Sequence, residues 1–172
     1  MICIPITATT NEEALLKIKK SAFLADVIEL RADYIRDISL GELISAKEGK
    51  FLITNRKMDE GGRFKGSESE RVALLKEAVR LGVDYVDIEL STKKALIEEL
   101  LLKIRGNDNR TKLIISHHDF NKTPPESELK KRFDECLGAG ADIVKIVTYA
   151  NSLEDNLRVL NLIPMLKGKT RL

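Results

Sequence analysis

Lys145 interrupts the apolar run Asp142-Ile-Val-Lys-Ile-Val147 and has the strand parity of Ile143 and Val147. A lysine on such a face is expected in largely enclosed, low-dielectric surroundings, which disfavour the charged ammonium. A neutral amine is what attack on a ketone to form an imine requires. The plainer alternative is a lysine ion-paired to a neighbouring carboxylate. Ser116-His-His-Asp-Phe120 holds the only two histidines of the chain, and adjacent strand residues point to opposite faces. They cannot easily share a metal ion. His118 has the parity of Ile114 and Ser116 and is the candidate for taking and returning a proton, since an imidazole ordinarily titrates at about pH 6.5. His117 is expected to pack or hydrogen-bond locally.

Further charged residues end other apolar runs: Glu29, Arg31 and Asp33 on one parity, then Arg56, then Glu89. Glu89 is expected to orient His118 by accepting the proton of its second ring nitrogen; alternatively it pairs with Lys145 or Arg31. Glu29 and Arg31 offer an acceptor and a fork of donors to the hydroxyls and the carboxylate or carbonyl oxygen of a small polyol. They read as binding residues. Arg56 and Asp33 could equally be surface charges on frayed strand ends. The polar segment 57–67, with Gly61-Gly62 and Lys65-Gly66, is either a lid or a solvated loop.

The elements that must position these groups are six short apolar runs, at residues 2–6, 27–30, 51–53, 85–90, 113–115 and 143–147, which read as strands. Amphipathic helical segments alternate with them, the clearest placing Ile97, Leu100, Leu101 and Ile104 on one face. Thr10 with Glu13, Ser39 with Glu42 and Ser67 with Glu70 fit capping boxes; Thr123-Pro124 marks another start, and Gly82 and Gly106 mark stops. Such alternation calls for a parallel sheet with right-handed crossovers, either an open doubly wound sheet or a closed barrel. The periodicity alone does not choose. No G-x-G-x-x-G follows the first strand and no Walker lysine is present, while charged residues gathered at C-terminal strand ends favour the barrel.

With 172 residues in six units, each unit takes about 29, whereas a complete barrel needs eight units and roughly 200 residues or more. Residues 1–172 are therefore expected to form a single barrel domain lacking its last two units, with Lys167-Gly-Lys-Thr-Arg-Leu172 approaching a seventh strand. A composition of 43% hydrophobic and 33% charged residues, with a net charge of +2, gives no electrostatic reason to expect nucleic acid or an anionic membrane as partner. Cys3 and Cys136 lack any C-x-x-C spacing, which argues against a disulfide framework or zinc site. No window approaches the roughly 18 apolar residues of a membrane span, and no basic leader precedes the first apolar stretch, so a cytoplasmic protein acting on a small molecule is expected.

Glu29-Leu-Arg-Ala-Asp33, Thr54-Asn-Arg56 with Glu60-Gly-Gly62, Asp87-Ile-Glu89, Ser116-His-His-Asp-Phe120 with Lys122-Thr-Pro124, and Val144-Lys-Ile146 together resemble, in order and spacing, the type I 3-dehydroquinate dehydratases. The resemblance covers the whole chain. It implies a (β/α)8 barrel, usually a homodimer, that dehydrates 3-dehydroquinate to 3-dehydroshikimate in the shikimate route to aromatic amino acids, with no metal or organic cofactor. By the same resemblance Lys145 forms the imine, His118 is the general acid and base, Glu89 orients it, and Glu29, Arg31 and Arg56 hold the substrate. Members of that family continue through two further βα units that carry an arginine, a serine and a glutamine for the substrate. Two competing readings share many of these residues: another Schiff-base barrel lyase such as an aldolase, and a truncated, non-catalytic homologue acting as a binding module.

Overall fold

A computed structural model describes residues 1–46, 48–106 and 111–166. Six strands form one parallel sheet: β1 Cys3–Ile6, β2 Val27–Arg31, β3 Lys50–Thr54, β4 Tyr85–Glu89, β5 Lys112–Asp119 and β6 Ile143–Thr148. Between and after them run the helices α1 Asn11–Ser21, α2 Leu40–Ser45, α3 Glu68–Arg80, α4 Lys94–Arg105, α5 Glu126–Gly138, α6 Leu153–Leu160 and α7 Leu162–Leu166. The strand order is β1-β2-β3-β4-β5-β6. A doubly wound sheet reverses its order at a switch point; this one never does, so the chain takes the curled, part-barrel course. Residues 167–172, where a seventh strand was expected to begin, lie outside the described residues.

Strand parity sorts the side chains into two environments. Ile28, Leu30, Phe51, Ile53, Val86, Ile88, Leu113 and Ile115 point outward into the main core, where Ala14, Ile18, Leu43, Val72, Leu75, Val79, Ile97 and Leu100 of the helices cover them. The opposite parity forms a small inner apolar layer of Val27, Leu52 and Ile114 with Tyr85 and Ile143. Beyond that layer, toward the C-terminal strand ends, the inward positions become polar: Glu29 and Arg31, Thr54, Asp87 and Glu89, Ser116 and His118, and Lys145. The outer core thus supplies the apolar burial, and the inner face is released for charged groups. β5 runs to Asp119, several residues past its apolar stretch, because pairing with β6 continues through His117↔Ile146, His118↔Val147 and Asp119↔Thr148. His118 therefore stands on a paired strand.

The helix starts differ in how they are closed. Ser67 and Glu70 make the full reciprocal capping box, with Glu70 N donating to Ser67 Oγ at 3.2 Å and Ser67 N to Glu70 Oε2 at 2.7 Å. Thr10 caps Glu13 N, but the Glu13 carboxylate turns to Thr9 N and Lys17. Ser39 makes no side-chain cap; its N–H donates to Asn11 Oδ1 instead. Thr123 does not cap α5, because its hydroxyl bonds Thr148 Oγ1 and the Tyr149 carbonyl. Gly106 ends α4 in ordinary right-handed geometry, whereas Gly82 follows α3 at φ +78°. Ser67→Ala removes the one complete box among the three expected, and should lower unfolding free energy by about 1 kcal/mol, measured as a lower urea midpoint at unchanged slope.

Candidate active site

Lys145 projects from the middle of β6 onto the inner face. Its Nζ lies 3.2 Å from Asp87 Oδ2 and 3.8 Å from Glu29 Oε1, beside a cavity of ≈ 620 Å³ walled by the inner apolar layer, Cys3 and Pro5. Of the two environments that the sequence allows this lysine, low-dielectric enclosure or an ion pair with a neighbouring carboxylate, the structure shows the second: it is 33% exposed and faces two carboxylates, because β6 is an edge of the described sheet and the neighbouring inward positions are acidic. Asp87 is the partner that the sequence reading passed over, although it shares the parity of Glu89. Its buried carboxylate accepts from Ser116 Oγ at 2.6 Å and from Arg56 Nη2 at 2.8 Å as well as from Lys145.

His118 stands one inward position beyond Lys145 on the adjoining strand, since Ser116 pairs with Lys145 and His118 with Val147. Its Nδ1 is 2.9 Å from Glu60 Oε2, and its backbone N–H donates to the same oxygen at 3.1 Å. An ionised carboxylate can only accept, so Nδ1 carries the proton. The other oxygen of Glu60 accepts from Ser91 Oγ, and Phe120 stacks on the imidazole with ring centroids 5.9 Å apart.

The partner of His118 is therefore Glu60 and not Glu89, a correction to the sequence reading. Glu89 is engaged elsewhere: its Oε1 accepts from Lys57 N at 3.0 Å and faces Arg56 Nη1 at 3.1 Å, and its Oε2 accepts from Arg71 of α3. Glu60 reaches β5 because residues 57–62 fold back over the strand ends. A short 3-10 turn, Met58–Glu60, closes on Gly61 at φ +77°, a conformation that glycine adopts without steric cost. Gly62 packs against the Arg56 backbone so closely that a Cβ there would lie 1.9 Å from the Arg56 carbonyl oxygen. The Glu60-Gly-Gly62 motif was visible in the sequence; nothing in its spacing says that the loop doubles back onto a histidine 58 residues away.

The remaining expected site residues are brought to the same face, each already paired with a protein group. Glu29 Oε1 accepts from Thr54 Oγ1 at 2.7 Å. Arg31 makes a two-pronged pair with Asp33, Nε to Oδ1 at 2.9 Å and Nη2 to Oδ2 at 2.8 Å, and its guanidinium lies over Tyr34, as does that of Arg63. Arg56 is buried, with Nη1 on Ser116 Oγ at 2.6 Å and Nη2 on Asp87. Both arms of its fork are on protein groups.

Burial alone would raise the Glu60 carboxyl, but hydrogen bonds from His118 and Ser91 and the charges of His118 and Arg56 outweigh it and hold Glu60 below the usual carboxylate range. For Asp87, burial is likewise overcome, here by the charges of Arg56 and Lys145 and by the Ser116 hydroxyl. The inner face is thus built from opposed charges, of which Lys145 and Glu29 line the cavity.

A family model described as type I 3-dehydroquinase matches residues 2–171. The chain belongs to the type I 3-dehydroquinase family. It is 38% identical over 170 residues to the 3-dehydroquinate dehydratase of Methanococcus maripaludis strain C7, and 37% identical to that of Methanocaldococcus jannaschii, in each case covering 98% of this chain and 76% of the relative. Among solved structures, the type I 3-dehydroquinate dehydratase from Clostridium difficile superposes with a TM-score of 0.89 at 30% identity, over 96% of this chain and 69% of that one. The part-barrel course therefore belongs to a family of enzymes.

Two outcomes follow from this geometry. Glu60 and Asp87 have folded-state pKa values depressed below their unfolded ones, so their contribution to stability is complete above the ordinary carboxylate range of about 4 and is lost as pH falls through the depressed values. Glu60→Gln should accordingly flatten the acid limb of a plot of Tm against pH; an acid limb parallel to the parent's would place the loss in other groups. Gly62→Ala should displace residues 57–62 and lengthen the Glu60–His118 bond, seen by NMR as loss of the hydrogen-bonded Nδ1–H resonance of His118.

Proposed function

We propose that this chain dehydrates 3-dehydroquinate to 3-dehydroshikimate through an imine on Lys145, with His118 moving the protons. Nζ adds to the ketone carbon, and loss of water leaves a cationic iminium. His118 Nε2 takes a proton from the adjacent carbon, and the electron pair released flows to the iminium nitrogen, forming an enamine. The pair then returns to expel the hydroxyl one carbon further on, which takes the proton back from His118 and departs as water. Hydrolysis of the conjugated iminium frees the enone product and restores Lys145. Apart from the water consumed and released at the imine, one water is eliminated.

The observation that carries this reading is the β5–β6 register, which sets the imidazole one inward position beyond the lysine, with Glu60 fixing its tautomer. The two carboxylates beside Nζ support it. An iminium carries the same positive charge as the ammonium it replaces, so Asp87 and Glu29 are compensated before and after imine formation, and at the enamine the positive charge rests on His118. In this scheme Glu60 orients His118, the role the sequence reading gave to Glu89. Glu29, Arg31 and Arg56 hold the substrate, and Arg56 also fixes Asp87. The same reading, on family resemblance, takes the working form to be a cytoplasmic homodimer, for which solution mass is the check.

Borohydride reduction of the protein mixed with 3-dehydroquinate should add the mass of the reduced substrate to the peptide containing Lys145. Lys145→Ala should give no adduct and no measurable turnover while still folding, at a Tm lowered because Asp87 keeps only the Arg56 cation. His118→Ala should still form adduct, slowly, while turnover falls by about a hundredfold or more. Appearance of retro-aldol fragments without ultraviolet absorption from a conjugated enone would assign the site to an aldolase instead.

A further inference from the structure

We infer that Arg71, on the outer helix α3, is a positioning residue that keeps the lysine and histidine arms of the site in register through Glu89; the inference rests on the reaction proposed above. Arg71 is 1% exposed, and its guanidinium passes between the strand ends from the helix layer. Nη1 donates to the Asn55 carbonyl at 3.2 Å and to Glu89 Oε2, and Nη2 donates to Thr92 Oγ1 at 2.7 Å. One side chain thus ties together the residue after β3, the last residue of β4 and the turn that follows it.

The other oxygen of Glu89 divides the connection in two. Its bond from Lys57 N anchors the start of residues 57–62, whose Glu60 holds His118. Its contact with Arg56 Nη1 leads through Arg56 Nη2 to Asp87 and from there to Lys145. Among the described residues, Asp87 and Glu89 are two buried carboxylates with Arg56 common to both and Arg71 paired to Glu89 alone. Without Arg71, Arg56 is the one cation left to Glu89 among the described residues, whereas Asp87 keeps Lys145, and a buried carboxylate cannot be left without a cation. Arg56 then shifts toward Glu89 and away from Asp87, so the lysine arm moves, and the anchor of Lys57 N shifts with it. A merely structural Arg71 would lower the melting temperature and leave folded enzyme with the parent's rates.

Arg71→Lys keeps a charge but cannot span Asn55, Glu89 and Thr92 at once; Arg71→Met removes both charge and span. Each is assayed well below its Tm, with circular dichroism confirming the fold. We expect kcat to fall about tenfold or more, as small misplacements of catalytic groups do, with KM within about threefold of the parent. The rate of borohydride-trapped adduct on Lys145 should fall in parallel, and the His118 Nδ1–H resonance should broaden or shift. Should the Met variant fail to fold, Thr92→Val withdraws one anchor while keeping the cation, and should give a smaller loss of kcat in the same direction. Folded Arg71→Lys and Thr92→Val enzymes with parental kcat and an unmoved His118 resonance overturn the inference, as does a kcat loss with a parental trapping rate. Absence of any adduct on the parent enzyme would sink the imine reading by itself, because the His118 resonance still decides whether Arg71 positions that arm.

Discussion

A guanidinium held between two buried carboxylates, Arg56 between Asp87 and Glu89, is the arrangement on which the rest of the inner face depends. Three charges removed from water are tolerable only when each is paired and its remaining valences are filled. Ser116 fills one on Arg56 and one on Asp87, Lys57 N and Arg71 fill those on Glu89, and Lys145 completes Asp87. The lysine is therefore placed by a charge requirement as much as by its strand. Its nitrogen sits where Asp87 needs a cation, and that position opens on the cavity.

The histidine arm has a different origin. Strand geometry aims His118 inward, but an imidazole at a strand end could rotate or change tautomer. The loop of residues 57–62 prevents this by delivering Glu60, which takes both the ring and the backbone N–H of His118. That loop exists because Gly61 accepts a positive φ and Gly62 lies against the Arg56 carbonyl where a Cβ has no room. The two glycines thus convert a chain reversal into an orientation of a proton carrier.

Separating the two faces of the sheet makes both arms possible. The helices bury one parity of every strand in a large apolar core, and five residues suffice for the small inner layer. The helical layer also reaches the inner face: Arg71 extends from α3 to Glu89, so a buried ion pair joins the outer shell of the domain to its polar inner face.

The sequence by itself determined the six strands, their parallel βα alternation and the inward parity of Glu29, Arg31, Glu89, His118 and Lys145, because a period of two residues dictates which face a strand residue takes. Its motif spacing also carried the family, since residues that must meet in one site keep their order along the chain. What only the tertiary structure decided is which charges meet. Parity gives a direction but no distance across strands, so Glu89 appeared free for His118 when Arg56 and Arg71 already engage it, and enclosure and an ion pair both stood open for Lys145, which faces Asp87 and Glu29. Glu60 lies on a loop, where side-chain direction has no period at all; its pairing with His118 is set by a chain reversal that exists only once the strands beneath it are assembled.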